Sequence, residues 1–204
     1  MLGAAAAAVD AARGRLTRRL APGPPMPDHR IQINRAPVLT LWAAVVAERL
    51  GYDRTAALTL GRAVAGLNAQ SKGRRLGVFD ERPTAKPERR AVKSSRRKER
   101  FVELLGRSVP VVDSARGLRA VEKNRAVTPT SVERYLRGKF GDALPEARAA
   151  MEALAAAHEP DRLEDVAYAL YERFRPRIPE GARGWGARGT LDLDLVRSMA
   201  ESAP

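Results

Sequence analysis

The stretch from Pro37 to Leu50 constrains this chain more than any other. Val38, Leu39, Leu41, Trp42, Val45 and Val46 leave a helix there with almost no polar face. Pro37 suits the first helical turn, where a missing N–H costs nothing, and Gly51 suits the stop. A helix that is apolar nearly all round has to be covered from every side, so it predicts the centre of a fold. The longest apolar run, Ala36 to Ala47, is broken by Thr40 and ends at Glu48. A bilayer span needs about 20 apolar residues, so no membrane partner is expected.

The neighbouring sequence offers the first cover. Asp53 predicts the cap of a second helix from Arg54 to about Ser71, with Ala57, Leu60, Val64 and Leu67 at helical spacing. Gly61 and Gly66 each cost about 1 kcal/mol relative to Ala in a helix. Close approach of the Trp42 helix is the use that offsets this. The two helices, joined through Gly51 and Tyr52, form a hairpin that Gly73 ends. Aromatic residues are only 5% of the chain, so the core must be Ala, Leu and Val, which favours packed helices over sheets.

Beyond the hairpin, Phe101–Val121 reads in two ways. It is either two short strands around an Asp113–Gly117 turn, or a strand over Val109–Val112 followed by a helix capped by Ser114. Thr130 with Glu133 has the spacing of a capping box, opening a helix that carries Val132, Tyr135 and Leu136 and ends before Gly141. Pro145 opens the next helix, with Ala147, Met151, Leu154 and Ala155 on one face. Asp161, boxed with Glu164, opens another with the stripe Leu163, Val166, Ala167, Leu170 and Phe174. A Pro/Gly-rich loop then leads to a short helix holding Leu195, Val196 and Met199. The expected fold is mainly α: an N-terminal helical hairpin (26–79), a basic linker (80–100) and a C-terminal helical domain with a small β-hairpin (101–204). Residues 1–25 are low in complexity and form an N-terminal extension. They read as a flexible basic arm, an organelle transit segment, or sequence upstream of a start at Met26; the start at Met26 is preferred.

The charge is localised. The chain carries a formal +13, yet residues 101–204 hold 16 basic and 16 acidic side chains. Residues 72–100 hold 12 basic and 4 acidic ones, a net of +8. These cations are Lys72, Arg74, Arg75, Arg82, Lys86, Arg89, Arg90, Lys93, Arg96, Arg97, Lys98 and Arg100. Such density neutralises phosphates and releases their counterions, and Arg, which binds phosphate bidentately, outnumbers Lys. The other readings of this stretch are a solvated linker and a patch for anionic lipid or an acidic protein. A lipid patch normally has an apolar partner element, and KSSRRKER has none.

Catalysis has little to build on. There is no Cys, which excludes thiolate ligands, thiol nucleophiles and disulfides and fits a cytoplasmic location. Of the two histidines, His29 falls in the N-terminal tail and His158 at a helix end. The acid pairs Glu164/Asp165 and Asp192/Asp194 read as solvated or helix-dipole groups. No HExxH, GxSxG or P-loop pattern occurs. The expectation is a non-enzymatic protein with no cofactor or metal.

Val127–Leu136 reads V-T-P-T-S-V-E-R-Y-L and resembles the start of the recognition helix in helix-turn-helix repressors of the lac repressor type. The resemblance implies that Thr128 caps the helix, that Thr130, Ser131 and Arg134 face the groove or phosphates, and that Val132 and Leu136 face the core. It places Glu122 in a preceding helix and Ala126 in the turn, where that family has a small residue and Gly. Arg137 and Lys139 extend the basic face of the same helix. Nucleic acid, DNA before RNA, is thus the expected partner. Trp185, between Arg183 and Arg188, pins the Gly-rich loop or offers a base-stacking surface. The runner-up is a protein-interaction module, with a homodimer through the Trp42 helix and the basic segment as a solvated linker.

Overall fold

The computed structural model describes residues 29–75, 100–115, 117–181 and 186–203. They make a mainly helical fold with some antiparallel sheet, and no helix among them is long and apolar enough to cross a membrane. Every residue from Pro37 to Ala47 on α1 (Arg35–Arg49) is buried. Its cover comes from α2 (Arg54–Arg75), α3 (Pro129–Phe140), α4 (Leu144–Ala156) and α5 (Pro160–Phe174). The Trp42 indole N–H donates to the Ala167 carbonyl at 2.8 Å. Its ring meets Phe174 edge-on, with centroids 5.4 Å apart. The expected homodimer through the Trp42 helix loses its surface, because that helix is spent on the core of its own chain. One hydrophobic cluster runs from Ile33 to Met199, so the hairpin and the C-terminal helices share a core rather than forming two units.

Local chemistry explains most element ends. Asp53 Oδ1 accepts from the Thr55 and Ala56 N–H groups and starts α2, as expected. The hairpin does not stop at Gly73: α2 continues to Arg75. The Thr130–Glu133 box is not formed. Pro129, whose fixed φ suits the first turn, moves the start of α3 back so that Thr128 is the N-cap. Pro160 does the same for α5, where Asp161 lies inside the first turn and Glu159 is the N-cap. On α6 (Leu193–Glu201), Asp192 caps through the Asp194 and Leu195 N–H groups.

The α1–α2 approach is as close as the glycine spacing predicts, but only at one glycine. A Cβ on Gly61 would stand 2.4 Å from the Thr40 carbonyl oxygen and 2.8 Å from the Ala44 nitrogen. Gly66 serves another neighbour: a Cβ there would meet Glu122 Oε1 at 2.8 Å.

Between α2 and α3 lies a four-stranded antiparallel meander, ordered β2 (Arg100–Leu104), β3 (Arg107–Ser114), β4 (Gly117–Glu122) and β5 (Arg125–Ala126). The two-strand reading of Phe101–Val121 was the right one of the pair, and it was short by two strands. Arg100, assigned to the linker, opens β2. The sheet is fixed to α2 by polar contacts: the Ala120 N–H donates to Thr59 Oγ1 at 3.1 Å, and the nearly buried Arg119 donates to Thr55 Oγ1 at 3.0 Å.

A second, two-stranded sheet pairs β1 (Arg30–Ile33) with β6 (Gly189–Asp192). Beside it, the His29 ring and Arg197 both engage Glu146 of α4. His29 is therefore tied to the fold, not part of a tail. Arg197 first, and His29 after it, hold the Glu146 carboxyl below the usual carboxylate range.

Ala at Gly61 gains helix propensity but overlaps α1 backbone, so Gly61→Ala should lose about 1–3 kcal/mol by denaturant unfolding. Gly138, exposed on α3 with open space around it, should gain about 0.5–1 kcal/mol as Gly138→Ala. For Glu146, a lowered folded-state pKa adds stability above the ordinary carboxylate range, and this is lost as pH falls through the folded value. Glu146→Gln should lower Tm by less than about 3 °C at pH 7, since the group is partly exposed. The gap should begin to close near pH ~4, where the unfolded carboxyl protonates, and vanish as pH falls through the lower folded value; a gap that widens in acid would contradict this assignment.

Candidate nucleic-acid interface

The α3 sequence sorts cleanly by face. Val132, Leu136 and Phe140, four residues apart, are buried. Thr130, Arg134 and Arg137 fall on the opposite side as an exposed stripe at i, i+4 and i+7. Ser131 flanks that stripe, its hydroxyl donating to the Thr128 carbonyl at 2.6 Å. Lys139 is exposed in the last turn but, by helical angle, lies off the stripe. Four of the five residues predicted on this helix are thus brought to one side.

The element before α3 differs from what the repressor resemblance implies. Glu122 ends strand β4 and Ala126 lies in β5, so a β-hairpin stands where a helix and turn were expected. The hairpin turns at Lys123 and Asn124, with φ of 51° and 61°. Both are left-handed, as in a tight turn of the mirror-image type that matches strand twist. Arg125 pairs across the strands with Glu122, and Val127 then bonds back to Ala120 before Thr128 opens α3. This short connection sets Arg125 beside Thr128 and Ser131 at the start of α3, with Lys123 in the turn before it. Sequence reasoning passed over both cations. The signal was the Asn of Lys123–Asn124, a residue that tolerates φ > 0, once Gly117–Val121 is read as a strand.

Between hairpin and helix is a cleft of about 420 Å³, lined in part by Arg62, Glu122, Arg125, Thr128, Ser131 and Tyr135. The Arg62 guanidinium lies over the Tyr135 ring, 5.0 Å from its centroid, and pairs loosely with Glu122 at 3.8 Å. Burial pushes the Tyr135 phenol up, against the opposing pull of Arg62. Thr128 makes no side-chain capping bond.

The remaining predicted residues divide. Arg100 is exposed on β2 and paired with Asp113 at 3.0 Å. Arg74 and Arg75 fall in the last turn of α2. Arg89, Arg90, Lys93, Arg96, Arg97, Lys98 and Trp185 lie outside the described residues. Among the described residues, the ion pairs take up Arg30, Arg54, Arg62, Arg100, Arg148, Arg175 and Arg197. Lys123, Arg125, Arg134, Arg137 and Lys139 have no carboxylate partner among them, and neither do the exposed Arg162, Arg173, Arg177 and Arg188; the first five fall within one segment of hairpin and helix. No family profile matches the chain, and neither a curated protein nor a solved structure is significantly similar to it.

A Lys in the left-handed region is strained, at a cost of about 1–2 kcal/mol. Lys123→Gly should therefore raise stability by about 1 kcal/mol in denaturant unfolding while removing an exposed cation; a loss of stability would show that Lys123 holds the hairpin in another way.

Proposed function

We propose that the chain binds nucleic acid, with DNA the expected ligand, and does not catalyse a reaction on it. The observation that carries this reading is the set of cations without carboxylate partners where the β4–β5 hairpin meets α3: Lys123, Arg125, Arg134 and Arg137. Side chains of this kind are available to phosphates, and Arg adds bidentate geometry. The net +8 of residues 72–100 supports it by composition, because α2 delivers the start of that run. α2 also packs against β4 and α3, so the run leaves from an element that touches both parts of the surface. Among the described residues, the carboxyls whose titration the fold clearly displaces are Asp53 and Glu146, and both are lowered, the opposite of what a general acid needs.

Fluorescence-anisotropy titrations with labelled duplex DNA and with RNA, over a range of salt, test the reading. Each phosphate neutralised on B-DNA contributes roughly −0.9 to the slope of log K against log salt. Replacing both Arg134 and Arg137 by Ala should flatten that slope by about 2. Arg100→Ala should change it less, since that guanidinium is already paired with Asp113. Neutralising Arg96, Arg97 and Lys98 should weaken binding to all sequences alike. No binding to either nucleic acid at low salt would overturn the proposal.

A further inference from the structure

We propose that the cleft between the β4–β5 hairpin and α3 holds one unpaired base of a bound strand, which makes single-stranded nucleic acid the preferred ligand class. The inference rests on the nucleic-acid reading above and narrows it.

Three observations converge. The Arg62 guanidinium lies over the Tyr135 ring and both line the cleft, and planar guanidinium and aromatic groups are the surfaces on which unpaired bases lie. At about 420 Å³ the space lies within the range of small-ligand pockets. Its rim carries groups suited to a base edge and its phosphate. The Glu122 carboxylate accepts from an amino group, and the Thr128 hydroxyl is not used in capping. Arg125 stands opposite Glu122 across the strands, yet no ion pair joins them, so its charge is left for the phosphate. A base inside a duplex is paired and stacked on its neighbours and must be extruded before it can enter such a cleft. A single strand brings it without that step. DNA and RNA strands share this chemistry.

The test uses the full chain with labelled oligo-dA, oligo-rA and a duplex of equal length. The single strands should bind about tenfold tighter than the duplex at equal salt. Tyr135→Leu should lose about tenfold on single strands with an unchanged salt slope, because stacking is not ionic; Tyr135→Phe should bind like the parent protein. Arg62→Lys keeps the charge but not the plane, and should show the same slope with weaker binding. A 2-aminopurine in the strand should be quenched when the unmodified protein binds, which gives a result even if Tyr135→Leu fails to fold. Equal affinity for duplex and single strands, with no quenching, overturns the cleft assignment while leaving nucleic-acid binding intact. No binding to any of the three removes both. The ratio of dA to rA affinity tells which strand the cleft favours.

Discussion

Covering α1 on every side is the condition that the rest of the structure meets. From Pro37 to Ala47 every residue is buried, and the polar side-chain groups of that stretch are hydrogen-bonded. Thr40 donates to the Ala36 carbonyl one turn back, and the Trp42 indole N–H reaches the Ala167 carbonyl. Glu48 and Arg49, where the helix emerges, are taken by Arg148 and by the His158 carbonyl. With so few aromatics, the surrounding helices must come close to fill the space. Gly61 shows how close, since it brings α2 backbone against α1 backbone. Once α2 is fixed by that contact, its other side offers Thr55, Thr59 and Gly66 to the sheet. The sheet then ends in the hairpin that leads into α3. The proposed binding surface is thus positioned through a chain of contacts that starts at the core.

That surface groups cations that are more scattered over the rest of the described exterior. Elsewhere several Arg side chains are matched, with Glu152 and Glu48 around Arg148, with Asp194 and Glu146 around Arg197 and with Glu172 beside Arg175, while the exposed Arg162, Arg173, Arg177 and Arg188 are not. Such exposed pairs add little stability, but they cancel charge. Along the hairpin and α3, among the described residues, unpaired cations follow one another closely, at Lys123, Arg125, Arg134, Arg137 and Lys139. The local backbone also departs from its cheapest form there, since Lys occupies a position that Gly or Asn fills more easily. A tight turn and an amphipathic helix, each ordinary alone, together hold cations at fixed spacing on rigid elements.

Much of this was readable from side-chain pattern. α1 follows from its unbroken apolar run, α2 from Asp53, and α5 and α6 from their apolar stripes. The exposed stripe of α3 is legible because Val132, Leu136 and Phe140 fix which side faces the core. Other features were hidden for identifiable reasons. β1 and β6 are four residues each, and their partners lie about 160 positions apart, so no local signal exists for either. The starts of α3 and α5 were misplaced because Pro129 and Pro160 outweigh the capping-box spacing of Thr130 and Asp161. Gly66 looked like a helix-packing glycine, and only the tertiary structure shows that it makes room for Glu122. The Lys123–Asn124 turn was missed because Lys rarely takes a left-handed conformation.

The pairing of β1 with β6 has a consequence for how the chain acquires its structure. The strand just before the most apolar helix finds its partner only at Gly189–Asp192, and α4 and α5, which complete the cover of α1, are also made late. During synthesis α1 and α2 emerge first and can cover only one flank of α1. The remaining flanks are covered only as α3, α4 and α5 follow, the last of them ending at Phe174. Contacts this distant slow folding and leave apolar surface open to aggregation or chaperone capture in the meantime. The nascent chain should therefore depend on holding factors from the time α1 leaves the ribosome until β6 arrives.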